Sequence, residues 1–99
     1  MYQLFVTYVF DSKEKRDGFY GQLEKNDIAA VCAGEKGCIT YKYFYPCGEE
    51  NKLFLLEQWE TKEDQRVHVK QPHFALIGGF KEEYGARVEF EIMNAEGLG

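Results

Sequence analysis

Two histidines are the side chains of this sequence best suited to acid–base chemistry near neutral pH. An imidazole accepts a proton in this range, so either His68 or His73 could act as a general base. His73 is the stronger candidate because Pro72 precedes it and fixes the backbone direction at the start of a helical segment. In the alternative interpretation, one or both histidines cap or brace a helix.

A second group of side chains could bind an aromatic substrate. Trp59 could supply a flat wall and an indole donor, although a large aromatic residue at the end of a strand is also typical of a core. Tyr41 and Tyr43 point the same way along a strand and could stack on a ring or donate to an oxyanion, or simply pack. Asn26 could hold a substrate oxygen, or it could end the first helix. Glu57 lies on an apolar strand, where a carboxylate needs a partner from a helix end or a second subunit.

The three cysteines, Cys32, Cys38 and Cys47, are odd in number and lack the CxxC spacing of a zinc or redox site. We therefore expect reduced thiols and no metal site, with Cys38 as a small buried hydrophobic residue. The sequence also contains no GxSxG, HExxH, P-loop or GxGxxG motif. Hydrolase, metalloprotease and nucleotide-binding functions thus lack their minimal parts.

The hydrophobic pattern predicts four strands and two helices in the order βαββαβ. The predicted strands are residues 2–10, 38–45, 53–59 and 86–93. The first helix is expected to begin near Ser12 and could bend at Gly18, at Gly21 or at residues 26–27. The second is capped by Thr61, restarts at Pro72 and ends at Gly85.

Large apolar side chains occupy both faces of the first three predicted strands, whereas two helices cover only one face of a four-stranded sheet. The uncovered patch would be too large for a soluble monomer, which favours a homodimer of paired sheets. Alternation alone does not decide which set faces the helices. The two sets are Phe5, Val9, Phe44, Phe54 and Leu56, and Tyr41, Tyr43, Leu55 and Trp59. In the last strand, Val88, Phe90 and Ile92 are expected to point inward.

Twelve basic against seventeen acidic residues give a net charge of −5, which opposes nucleic-acid binding because phosphate affinity comes largely from Lys and Arg. The RNA-recognition fold shares the βαββαβ order, but the third strand here lacks its basic and glycine residues. The N-terminus has neither a basic leader nor a run that could span a bilayer, so we expect a cytoplasmic protein without a membrane partner. The length fits a single domain over residues 1–99, with residues 94–99 as a flexible tail.

Three motifs carry a family resemblance. They are E-x-G-C-x-x-Y at residues 35–41, E-x-W at 57–59 and H-x-x-x-P-H-F at 68–74. With these motifs the chain resembles the antibiotic biosynthesis monooxygenase (ABM) domain family over nearly its whole length. The resemblance implies an α+β ferredoxin-like fold with a four-stranded antiparallel sheet. It also implies a dimeric α+β barrel with a pocket between sheet and helices in each subunit.

The resemblance further implies a cofactor-independent monooxygenase that oxidises a small phenol or hydroquinone with dioxygen. In that chemistry a base deprotonates the aromatic substrate, the anion gives an electron to dioxygen, and the radical pair recombines. Asn26 stands where the family often has an asparagine. Two alternatives stay open: an isomerase of a small phosphorylated or carbonyl metabolite, and a dimer that binds a small molecule without catalysis.

Haem is not expected as a cofactor or partner. The haem-degrading relatives use an asparagine on the first strand, a tryptophan in the second helix and a histidine ligand further along. The corresponding residues here are Thr7, His68 and Ile77. This set differs in kind from the haem-binding one, because isoleucine does not ligate iron.

Overall fold

The structure is a computed structural model and describes residues 1–94, which form one four-stranded antiparallel sheet and four helices. The elements are β1 (Tyr2–Val9), α1 (Lys13–Lys25), α2 (Ile28–Ala33), β2 (Cys38–Phe44), β3 (Lys52–Trp59), α3 (Lys62–His68), α4 (Pro72–Tyr84) and β4 (Arg87–Asn94). The strand order is β2-β3-β1-β4. The predicted α+β ferredoxin-like fold is therefore confirmed, with each predicted helix divided into two shorter ones.

Local signals in the sequence explain where the helices begin and end. Ser12 caps α1 by accepting a hydrogen bond from the backbone N–H of Lys15 at 3.1 Å. Gly18 and Gly21, two of the positions where a bend was expected, lie within the continuous helix α1. At residues 26–27 the helix breaks, because Asp27 adopts a left-handed conformation with φ of 53°. Thr61 caps α3 in the same way, and Pro72 begins α4, as predicted.

The strand register decides which face of the sheet packs against the helices. Leu4, Val6 and Tyr8 of β1 lie opposite Glu57, Leu55 and Leu53 of β3. These side chains are buried and form the core together with Trp59, Tyr41, Phe19, Leu23, Ile28 and Ile77. The other set, with Phe5, Val9, Phe44, Phe54 and Leu56, occupies the face without helices, which we call the open face.

The prediction for β4 is wrong in one respect. Val88, Phe90 and Ile92 pair with Tyr8, Val6 and Leu4 and so share the helix side of the sheet. They are nevertheless 41%, 60% and 56% exposed. The reason is that the helices pack against β2, β3 and one another and leave the edge strand uncovered.

Asn94, the first residue of the predicted tail, pairs with Tyr2 at the end of β4. Residues 95–99 lie outside the described residues. Within residues 1–94, every helix is too short or too polar to cross a bilayer.

Candidate active site

A glutamate joins the two histidines of the sequence. Glu35 lies in the turn after α2, His68 ends α3, and His73 is in the first turn of α4. The Oε2 atom of Glu35 lies 2.6 Å from Nδ1 of His68 and 2.9 Å from Nε2 of His73. A single carboxylate oxygen therefore binds both imidazoles, and we call these three residues the Glu–His cluster.

The turn that carries Glu35 is held on both sides by backbone hydrogen bonds. The N–H of Glu35 donates to the carbonyl of Cys32 at 3.1 Å, and the carbonyl of Glu35 accepts from the N–H of Cys38 at 3.1 Å. Gly37 has φ of 80°, and Asp64 fills the space where a Cβ atom would lie. Only glycine fits this position without strain, and α3 can therefore approach the turn closely.

The two histidines are set at a helix junction. The N–H of Gln71 donates to the carbonyl of His68 at 3.1 Å, so the chain turns immediately after α3. Pro72 cannot continue the preceding hydrogen-bond pattern but is well suited to the first helical turn, where α4 starts. His68 and His73 thus face one carboxylate from two consecutive helices.

Burial differs sharply between the members of the cluster. The side chains of His68, Glu35 and His73 are 1%, 13% and 18% exposed. Burial lowers the pKa of His68, and its hydrogen bond to Glu35 opposes that shift. When each imidazole donates to the carboxylate, the second nitrogen of each ring is left as an acceptor. Of the two, only His73 offers this acceptor on a partly exposed ring.

Glu57 lies beneath the cluster in the core. It is buried and accepts a hydrogen bond from Nε1 of Trp59 at 3.1 Å, so its partner lies on its own strand. Burial raises the pKa of Glu57 to about 7, against the effect of the Trp59 hydrogen bond, and Glu35 adds to the rise. Nε2 of His68 lies 3.9 Å from Oε1 of Glu57 and has no hydrogen-bond partner among residues 1–94.

Aromatic rings surround the buried histidine. The ring centroids of Trp59, Phe74 and Tyr41 lie 5.0, 5.4 and 5.5 Å from that of His68. Tyr43 continues the row at 5.8 Å from Tyr41, and its hydroxyl is buried without a hydrogen-bond partner in the described part of the chain. Burial raises the pKa of Tyr41 and Tyr43 well above the ordinary value, so both stay protonated and can donate.

Asn26 is the one predicted site residue that does not join this group. It is exposed at the end of α1, where its amide donates to the carbonyl of Gln22 at 2.8 Å. The structure thus gives Asn26 the helix-ending role of the alternative interpretation. A substrate contact by Asn26 stays a prediction.

Sequence reasoning missed the role of Glu35. Its position in the E-x-G-C-x-x-Y motif was the available signal, but nothing local indicates that it faces residues 33 and 38 positions further along the chain. A cavity of about 320 Å³ opens beside it, and its lining consists of Glu35, Lys36, Asp64, Val67 and Gln71. A second cavity of about 240 Å³ lies between α1, α2 and β2 and reaches Tyr43.

The family model described as antibiotic biosynthesis monooxygenase matches residues 6–77. This is most of the chain, and the protein belongs to that family. A search of curated proteins finds no match.

Solved structures share the fold over nearly the whole chain. A conserved protein of unknown function from Bacteroides thetaiotaomicron, described as a possible oxidoreductase, is 24% identical with a TM-score of 0.81, covering 93% of this chain and 94% of the other. A putative antibiotic biosynthesis monooxygenase from Nitrosomonas europaea is 15% identical with a TM-score of 0.83, covering 95% and 97%. SnoaB from Streptomyces nogalater, a cofactor-independent oxygenase, is 12% identical with a TM-score of 0.74, covering 96% and 92%. At these identities the likeness establishes the fold alone.

Proposed function

We propose that the protein is a cofactor-independent monooxygenase that oxidises a small phenol or hydroquinone with dioxygen. The observation that carries the proposal is the Glu–His cluster, in which a carboxylate orients a partly exposed imidazole. Membership of the monooxygenase family and the fold shared with a cofactor-independent oxygenase support the same chemistry.

His73 is the base in this proposal. Nε2 of His73 donates to Glu35, which leaves Nδ1 free to accept the phenolic proton. Glu35 holds the ring in this tautomer and stabilises the imidazolium that forms, as the carboxylate of a catalytic triad does. His68 is a positioning residue, because its hydrogen bond to the same oxygen fixes Glu35 from the buried side.

The phenolate then transfers one electron to dioxygen, and the resulting superoxide and phenoxyl radical combine to form a carbon–oxygen bond. Loss of water from the ring hydroperoxide gives a quinone, so one oxygen atom of dioxygen enters the product and the other leaves as water. The substrate supplies all the electrons. The protein needs only a base, donors for the anion and a site that excludes bulk water.

The aromatic residues would provide the remaining parts of the site. Tyr41 and Tyr43 stay protonated and could donate to the developing phenolate. Trp59, which is fully buried, walls off the inner side of the cluster and excludes water from it. We assign these residues, with Asn26 at the end of α1, to substrate binding.

We also propose that the protein is a homodimer joined through the open face. Phe5 and Phe54 pack edge to face with centroids 5.1 Å apart, and Phe44 is 45% exposed beside them. Such a group of aromatic side chains on one uncovered face favours burial against a second copy.

Oxygen uptake tests the proposed function. Wild-type protein is mixed with a panel of phenols and hydroquinones in an oxygen electrode, with chelator present throughout. We expect uptake above the spontaneous rate with at least one compound and formation of a quinone that carries one more oxygen atom than the substrate. A compound that binds, as measured by calorimetry, but causes no uptake would instead support a binding protein or an isomerase.

A further inference from the structure

A fourth potential ligand stands beside the Glu–His cluster. Cys32, at the end of α2, is fully buried, and one ligand atom each from Cys32, Glu35, His68 and His73 lies within 4.8 Å of all the others. We propose that these four residues form a binding site for a divalent cation of the zinc type. The proposal stands independently of the oxygenase chemistry.

The distances between the ligand atoms suit a tetrahedral site after small side-chain movements. Zinc binds nitrogen and oxygen at about 2.0–2.1 Å and sulfur at about 2.3 Å, which places tetrahedral ligand atoms roughly 3.3–3.6 Å apart. The Glu35 oxygen lies 2.6 and 2.9 Å from the two imidazole nitrogens, so these atoms would separate slightly. The sulfur lies within 4.8 Å of them and would approach.

The second nitrogen of His68 points to the same conclusion. Nε2 is buried and lacks a hydrogen-bond partner among residues 1–94, although Oε1 of Glu57 lies only 3.9 Å away. An unpartnered buried polar atom is costly. A metal ion on Nδ1 fixes the proton on Nε2, which then faces the Glu57 carboxyl and can donate to it once a small side-chain movement closes the 3.9 Å gap. Metal-bound histidines commonly donate their other N–H to a carboxylate in this manner.

The ligand types select the metal. Two imidazoles, one thiolate and one carboxylate match zinc, whereas magnesium and calcium prefer oxygen ligands alone. All four positions are filled by the protein, so no position stays open for substrate or water. The bound ion would therefore not act as a Lewis acid. If the proposed function holds, the ion also inhibits oxidation, because it takes Nε2 of His73 and keeps the proton on Nδ1.

The sequence pattern is C-x-x-E followed by H-x-x-x-x-H, and 35 residues separate Cys32 from His68. The fold brings the two pairs of ligands together. The paired spacings resemble those of small zinc sites, in which two close ligands are followed by two histidines three to five residues apart. The glutamate in place of a second cysteine hides the pattern from a search for CxxC.

Cobalt(II) titration of reduced, chelator-treated wild-type protein tests the site. We expect visible d–d bands of a tetrahedral ion and a thiolate-to-cobalt charge-transfer band, both saturating at one ion per chain and lost when zinc is added. Cys32→Ser should abolish the charge-transfer band and weaken zinc binding roughly tenfold or more. Cys47→Ser is the matched control, because Cys47 is exposed and outside the cluster, and it should keep both bands.

The absence of cobalt bands in folded wild-type protein would overturn the proposal. So would a charge-transfer band that persists in Cys32→Ser and disappears in Cys47→Ser, since the ion would then occupy a surface thiol. If Cys32→Ser does not fold, His73→Ala replaces it, and unchanged cobalt affinity in that variant would contradict the site. Oxygen uptake by chelator-treated protein that fails to bind cobalt or zinc contradicts this inference alone. Metal binding by a protein that shows no oxygen uptake after chelator treatment contradicts the proposed function alone.

Discussion

Among single residues, the proposed oxidation depends most on the hydrogen bond between Glu35 and His73. His73→Ala should lower the turnover of an oxidised substrate by roughly a hundredfold or more, the usual contribution of a positioned base. Glu35→Gln should also lower it, because the amide carries no charge to stabilise the imidazolium. Lys70→Ala, at an exposed position between α3 and α4, is the control and should leave turnover unchanged.

The structural alternative gives the opposite pattern for His73→Ala. If His73 has only a structural role, loss of its hydrogen bond to Glu35 would lower the free energy of unfolding by about 1 kcal/mol or more. Turnover per folded molecule would then equal that of the wild type, which would rule out His73 as the base. Turnover and urea unfolding measured on one preparation separate the two roles.

Glu57 gives a prediction about pH. Burial raises the pKa of Glu57 from 4.5 to about 7. Between these two pH values the carboxyl is protonated in the folded protein and ionised in the unfolded chain. This contribution to stability is fully present below pH 4.5 and is lost as the pH rises through 7. Its size is on the order of 3 kcal/mol, at about 1.4 kcal/mol per pKa unit. The lowered pKa of His68 acts in the opposite direction.

Comparison of the wild type with Glu57→Gln isolates the carboxyl, because His68 is present in both proteins. We expect the free energy of unfolding of the wild type to fall relative to that of the variant between pH 5 and pH 8. Parallel pH profiles for the two proteins would mean that Glu57 does not titrate in this range.

At the scale of elements, the sequence predicted most of the fold because its signals are local. Ser12 and Thr61 are caps, Pro72 starts a helix, and the strands alternate, all within a few residues of one another. The pairing of Glu35 with His68 and His73 was not predicted. It depends on how α2, α3 and α4 pack on the sheet, which no short stretch of sequence specifies.

Gly37 connects this packing to the site. Gly37→Ala places a Cβ atom in the space of Asp64 and at φ of 80°, so we expect a stability loss of about 1–3 kcal/mol together with reduced turnover. Gly48→Ala is a matched control, since Gly48 also has φ of 80° but has no atom within 4 Å of the added Cβ. Urea unfolding of both variants should give the larger loss for Gly37→Ala. Equal losses would show that the Asp64 contact contributes nothing.

At the scale of the whole molecule, sequence alternation identified two apolar sheet faces but could not assign them. Both sets contain large side chains. The strand register and the position of the helices together show which set faces the core. The same limit explains the error in β4. Alternation predicts a common face for Val88, Phe90 and Ile92, but not whether a helix reaches over that edge.

The open face leads to a prediction about assembly. Light scattering at micromolar concentration should give twice the mass of one chain for the wild type, and Phe54→Glu should give a monomer because a charge on the apolar face opposes pairing. Val31→Glu, at a 44% exposed position on α2, is the control and should stay dimeric. A monomeric wild type would refute the homodimer.

Isotope labelling follows the fate of dioxygen and so tests the proposed monooxygenase chemistry most directly. Chelator-treated wild-type protein and the His73→Ala variant are incubated in parallel with the best substrate under ¹⁸O₂. The mass of the product is then measured by mass spectrometry. We expect one labelled oxygen atom in each quinone formed by the wild type, and product at the spontaneous level for the variant. A product without label, or a labelled product formed equally fast by His73→Ala, would contradict it.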